Sequence, residues 1–221
     1  MYRIEVSSIL RSAVPHYMGA ALAATVRNAP THPDLQTEIA RLCSDLTARY
    51  DTASIKSREG IRQTREAYRA IGKDPSRYRP ACEQLCRRVL QGKGLYQIDT
   101  LVDLGNAVSL MSGYSTAMVD AAKLRGDTLT LGVGREDEPY EAIGRGALNI
   151  HLLPAFRDAE GAFATPTSDS VRTQISPATT HVLLIINAYD GSASHLDEAV
   201  AYARRLMMDF ACATDLREYR F

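Results

Sequence analysis

Long apolar runs are missing from this 221-residue chain. None approaches the ~20 consecutive apolar residues that span a bilayer, so no membrane-crossing helix and no membrane partner is expected. The opening residues, Met1-Tyr2-Arg3-Ile4-Glu5, lack the basic-then-apolar order of a signal peptide. Cysteine is scarce, with four residues. That excludes a disulfide framework and favours free thiols in a cytoplasmic protein. Net charge is also absent: 26 basic residues balance 26 acidic ones, which argues against a bulk nucleic-acid coat protein. Local catalytic signatures are missing as well. There is no GxxxxGK(S/T) phosphate loop and no GxSxG elbow. Gly132-Val133-Gly134 lacks the third glycine and the helix start of a dinucleotide fingerprint. His16, His32, His151, His181 and His195 are scattered, with no two at a metal-binding helical spacing. No metal and no cofactor is expected.

What is present reads as a globular α+β chain, helical in its first half and strand-rich in its second. Tyr2 to Val6 alternates, and Ala20 to Val26 is a small-residue apolar run, so both read as strands. Leu35, Ile39, Leu42 and Leu46 recur at helical spacing. Ile61, Thr64, Tyr68 and Ile71 predict a second helix, stopped by Gly72. Pro80 suits the first position of a third, which carries Cys82, Leu85, Cys86 and Val89 on one face. With no further ligand nearby, Cys82 and Cys86 read as buried thiols. A fourth helix is predicted from about Asp99 to Met111, with Asp99, Asp103 and Asn106 stacked on one face. That stripe is either solvated or the polar wall of a cleft. Thr128 to Val133 and Ala147 to Leu153 are predicted as strands, and Asp158 to Gly161 as a hairpin turn leading to Phe163. Val182 to Ile186 is an unbroken branched apolar run, which predicts a central strand buried on both faces. Ser194 is expected to cap a last helix through Phe210.

The zero net charge hides an asymmetry. Between Lys56 and Lys93, eleven Lys and Arg residues face only Glu59, Glu66, Asp74 and Glu83, a net of +7. Such a stripe is either a solvated helical face or a surface for a phosphate backbone.

The middle of the chain, from about Arg65 to Thr180, resembles the tRNA-editing B3/B4 domain of the bacterial phenylalanyl-tRNA synthetase β subunit, and more closely its free-standing relatives. The resemblance rests on Tyr68-Arg69-Ala70-Ile71-Gly72-Lys73-Asp74-Pro75, Arg77-Tyr78-Arg79-Pro80-Ala81 and Cys86 to Lys93. It continues through Ile98 to Asn106, Asp120 with Lys123 to Asp127, Asp169 to Thr173, and Thr179-Thr180. It implies an α+β fold with a helical N-terminal half and a mixed sheet or sandwich C-terminal half, built as a three-layer B3/B4-like domain. Residues 1–221 are then one such domain, with an α/β N-terminal extension over about 1–75.

The same resemblance implies a partner, the aminoacylated 3' end of a tRNA, and hydrolysis of a mischarged ester in trans. Asp103, Asn106, Asp169, Arg172 and Thr173 are the positions implied to border the amino-acid pocket, converging on one hollow. Arg87 and Arg88 are the implied RNA contacts. The synthetase's histidine before the aspartate matched by Asp120 falls here near Ala117. Two other readings use the same residues: an RNA-binding module without chemistry, and a hydrolase or binder of a small amino-acid derivative.

Overall fold

The computed structural model describes all 221 residues. Its organising element is β9 (His181–Ala188), whose residues alternate between two cores. Val182, Leu184 and Ile186 point to one core, and Leu183 and Ile185 to the other. β9 pairs antiparallel with β2 (Met18–Thr25) and β3 (Ser115–Asp120), and β10 (Thr214–Arg220) completes the sheet in the order β10-β2-β9-β3. This inner sheet has no water-facing side at its centre, which is why β2 and β9 read as apolar runs rather than alternating patterns.

Helices cover one face. They are α2 (Pro33–Arg49), α4 (Ala81–Leu90), α5 (Thr100–Ser112) and α6 (Ala193–Ala211). Leu35, Val89, Leu104, Val108, Leu196 and Leu206 fill the space between these helices and the sheet. A second sheet covers the other face, in the order β1-β4-β7-β8. It comprises β1 (Arg3–Val6), β4 (Thr128–Val133), β7 (Pro154–Arg157) and β8 (Ala162–Ala164), with β1 and β4 parallel. Leu129, Leu131, Phe156 and Phe163 pack from it onto Leu183 and Ile185. The result is three layers: helices, inner sheet, outer sheet. α1 (Ser8–Ala13), α3 (Glu59–Ala70) and a short ribbon of β5 (Glu141–Ala142) with β6 (Gly146–Ala147) complete the chain.

The first 75 residues are woven into both sheets. β2 lies inside the inner sheet, and β1 pairs with β4. No helix is long and apolar enough to cross a membrane.

Helix ends follow local chemistry. Asp99 caps α5, its Oδ1 accepting from the Val102 N–H at 2.9 Å. Gly113 ends α5 in the left-handed conformation at φ 78°. Arg58 then donates to the carbonyls of Leu110 and Met111, which have no partner within the helix. Gly60 packs so closely here that a Cβ would lie 2.8 Å from the Gly113 oxygen.

Three sequence expectations change. The helix at 193–211 is capped by Ser192 rather than Ser194. Pro80 is the residue before α4, not its first. Ala147 to Leu153 is no strand beyond its first residue. Ile150 and Leu153 are buried, which explains the apolar pattern, but Leu152 has φ 60°, and Lys73 takes the Asn149 and His151 carbonyls in place of a ladder partner.

Because β9 is enclosed on both sides, Leu184→Ala should cost about 2–5 kcal/mol. Urea unfolding would show it as a lower midpoint with an unchanged slope.

Candidate functional site

The largest hollow, about 810 Å³, lies on the outer-sheet side. It is formed by the connection from β4 towards β7, the 158–161 hairpin turn and a 3-10 turn at Val171–Thr173. Arg135, Glu138, Tyr140, Glu141, Glu160 and Arg172 supply most of its polar lining. The volume suits a small organic ligand.

Two arginine–carboxylate pairs hold these loops in place. Arg172 grips Asp158 with both terminal nitrogens, at 2.9 and 3.0 Å, and also donates to the Gly161 carbonyl. The Asp158 side chain is fully buried. Burial alone would raise its pKa, but Arg172 and the backbone N–H groups of Arg125, Glu160 and Gly161 outweigh burial and hold it low. Arg157 pairs with Glu138, Nε to Oε1, at 2.8 Å. The Glu138 carboxyl is likewise lowered, its hydrogen bonds with Arg157 and the Arg135 N–H overcoming burial.

The five pocket residues named from sequence go to different places. Arg172 lines the large hollow, with its guanidinium already committed to Asp158. Thr173 is fully buried and bonds inward to the Phe163 carbonyl. Asp103 lines a separate cavity of about 340 Å³ against α2, its carboxylate accepting from Thr31 and from the Ile98 N–H. Burial raises its pKa against those bonds. Asn106 is half-buried one turn further along α5. The single hollow shared by Asp103 and the 169–173 segment is therefore not what forms, because Asp103 and Arg172 line different cavities. Ala117 is packed in the core between the two sheets.

Asp169 lines neither cavity, although its neighbour Ser170 lines the large one, and its chemistry sets it apart. It is half-buried as a residue, and its carboxyl is pushed up to about 8 by burial, opposed only by the Met118 backbone N–H on the edge strand β3. Its charge is felt by Tyr140, whose ring lines the large hollow and whose hydroxyl donates to the Ser168 carbonyl at 2.8 Å. Tyr140 was invisible to spacing arguments. Its only sequence signal is an isolated tyrosine in a charged loop, Asp137-Glu138-Pro139-Tyr140-Glu141.

The basic stripe is largely consumed by the fold. Glu83, with no exposed surface, accepts from Arg65 Nη1 and Arg87 Nε, both at 2.8 Å. Arg87 also donates to the Thr52 carbonyl. Lys73 is buried, Arg58 closes α5, and Arg62 pairs with Glu59 and Glu66. Arg88 lies 3.6 Å from the centre of the Tyr96 ring. Lys56, Arg69, Arg77 and Lys93 remain exposed.

A family model described as "B3/4 domain" matches residues 63–206, well over half of the chain. The chain belongs to the B3/4 domain family. A crystal structure of an N-terminal fragment of the phenylalanyl-tRNA synthetase β subunit from Pyrococcus horikoshii is similar in fold, with a TM-score of 0.51 at 10% sequence identity. All of this chain aligns, over 56% of that one, so the chain spans little more than half the length of its structural relative. No curated protein matches the chain. This B3/4 domain thus keeps the α+β layering of its family around a hollow framed by salt bridges.

A raised carboxyl pKa has a thermodynamic signature. The folded state keeps a proton on Asp169 that the unfolded chain releases near pH 4. Stability should therefore fall as pH rises from about 4 to about 8. Asp169→Asn should flatten that decline, read from urea midpoints at pH 5 and pH 8.

Proposed function

We propose that this B3/4 domain binds aminoacylated tRNA and hydrolyses the ester of a mischarged amino acid in trans, residues 1–221 acting as one unit. Membership of the family over residues 63–206 carries the reading. The synthetase fragment that shares the fold adds to it.

The chemistry asks little of the protein. An aminoacyl ester is an activated carboxyl, so holding it in line with a water lowers the barrier by orientation alone. Each well-placed donor at the developing oxyanion adds about 3 kcal/mol. On this reading Asp169 is the group to watch. A carboxyl with a pKa of about 8 is mostly protonated at neutral pH, so it can donate a hydrogen bond to the ester oxygen or a proton to the departing ribose. Tyr140 and the rim around Arg135 and Glu141 would set the amino-acid side chain. Asp103 and Asn106 would contact the nucleotide end rather than the amino acid. Arg172 and Thr173 would serve as framework, since their bonds are made inward. Among the RNA contacts first implied, Arg88 fits better than Arg87, which is tied to Glu83.

A second reading, tRNA binding without chemistry, draws on the same commitments. Ser170 lines the large hollow, but no histidine lines it to serve as that serine's base, so a serine–histidine pair has no counterpart there.

A panel of mischarged tRNAs separates the two. Ester loss faster than in buffer on at least one member, slowed about 100-fold by Asp169→Asn, is the expected result. Salt-dependent binding with no ester loss on any member would leave the second reading in its place. Arg88→Glu should weaken tRNA binding under either one, measured by filter binding at low salt.

A further inference from the structure

The 340 Å³ cavity between α2 and the loop joining α4 to α5 has a chemistry of its own. Its apolar wall includes Ile39 and Ala40 of α2, and Tyr96 lies on the loop side. Gln36, Gln97 and Asp103 contribute the polar groups. Tyr96 is 58% exposed and belongs to none of the three cores, so packing does not account for it. The Arg88 guanidinium stacks on its ring at 3.6 Å. The loop reaches this position through Gly92 and Gly94, both left-handed at φ 73° and 59°. A Cβ at either would meet nothing within 4 Å, so it is backbone geometry, not crowding, that calls for glycine here.

An exposed aromatic face backed by a fixed positive charge is a stacking platform for a flat, electron-rich ring. The side-chain amides and the carboxylate beside it can accept from an exocyclic amino group, as base edges require. Lys93, exposed on the same loop, adds a phosphate partner. We infer that this cavity takes an unpaired, amino-bearing nucleobase such as adenine, stacked on Tyr96 with its phosphate towards Arg88 and Lys93. The inference rests on the tRNA reading only for the source of the base, which is an RNA strand or a free nucleotide.

The test uses the full chain and fluorescence anisotropy with a labelled single-stranded hexaadenylate, competed by AMP and by a blunt RNA duplex. The strand should bind and the duplex should not compete. Tyr96→Ala should weaken binding about 10- to 100-fold, while Tyr96→Phe keeps the ring face and the affinity. Ala40→Trp, at an exposed helical position, should fill the cavity and abolish binding with an unchanged melting temperature. AMP competing through the same variants would assign the site to a nucleotide; competition by unlabelled strand alone would assign it to RNA. Unaltered binding by both Tyr96→Ala and Ala40→Trp, or no binding of either probe, overturns the inference. Normal deacylation of tRNA by the unsubstituted chain without hexamer binding would end this pocket and leave the editing reading intact. Hexamer binding without deacylation would do the reverse.

Discussion

The inner sheet is enclosed on both faces, and most of the architecture follows from that constraint. A strand between helices and a second sheet can carry almost no unpaired polar group, because each would cost a few kcal/mol to desolvate. β9 complies from Val182 to Ile186, and its one buried amide, Asn187, donates to the Ser115 carbonyl and accepts from the Tyr17 hydroxyl. β2 complies by using alanines, small apolar side chains that bring no polar atom to either face. Chemistry is thereby pushed outwards. Polar side chains that could act on a ligand sit at the edge strand β3, in the loops of the outer sheet, or on the far side of the helical layer.

Loops that carry such groups need anchoring, and here charge supplies it. Asp158, Glu138 and Glu83 each draw in one or more arginines, and the Asp158 and Glu83 side chains have no exposed surface. Buried pairs of this kind add little net stability, since desolvation offsets much of the attraction. Removing one partner is costly, however, because the remaining charge is stranded. Their value is geometric: a bidentate Arg172–Asp158 pair fixes the angle between the hairpin turn and the 3-10 turn that shape the large hollow. An arginine used this way cannot also greet a ligand.

That double use explains what was legible in the sequence and what was not. Elements whose signal is local came through: the apolar run of β9, the capped α5 and the Asp158 turn. So did the family resemblance, carried by the order of many short matches. β3 went unread, since Ser115-Thr116-Ala117-Met118-Val119-Asp120 has neither a clean alternation nor a branched run. β10 went unread because its residues are mostly exposed and charged. For the site, spacing placed Asp103 and Asn106 on one side of α5 but could not say what lies opposite. The structure puts α2 and the 94–97 loop opposite Asp103. Likewise, eleven basic residues look like a surface until Glu83, two helix carbonyls and a pair of loop carbonyls claim several of them. Which partner a charged side chain takes is a tertiary fact, and composition has no access to it.

Two cavities of different character raise the question of how one ligand would use both, and α5 offers an answer. Asp103 faces the aromatic cavity. Two residues on, the Gly105 carbonyl accepts from Thr116 of β3, and a Cβ at Gly105 would sit 3.4 Å from Met118. The Met118 N–H, on the same strand, is the group that opposes burial in setting the Asp169 pKa. A single turn of helix therefore links the aromatic cavity to the edge strand that lies beside Asp169. Helix and strand are in direct contact at Gly105, at a distance where a Cβ would just touch Met118. On the proposed reading, a nucleotide held on one side of this turn and an ester held on the other would share a wall whose position is set by backbone contacts. The groups that bind and the group that reacts would then be fixed relative to each other without any motif that sequence alone could display.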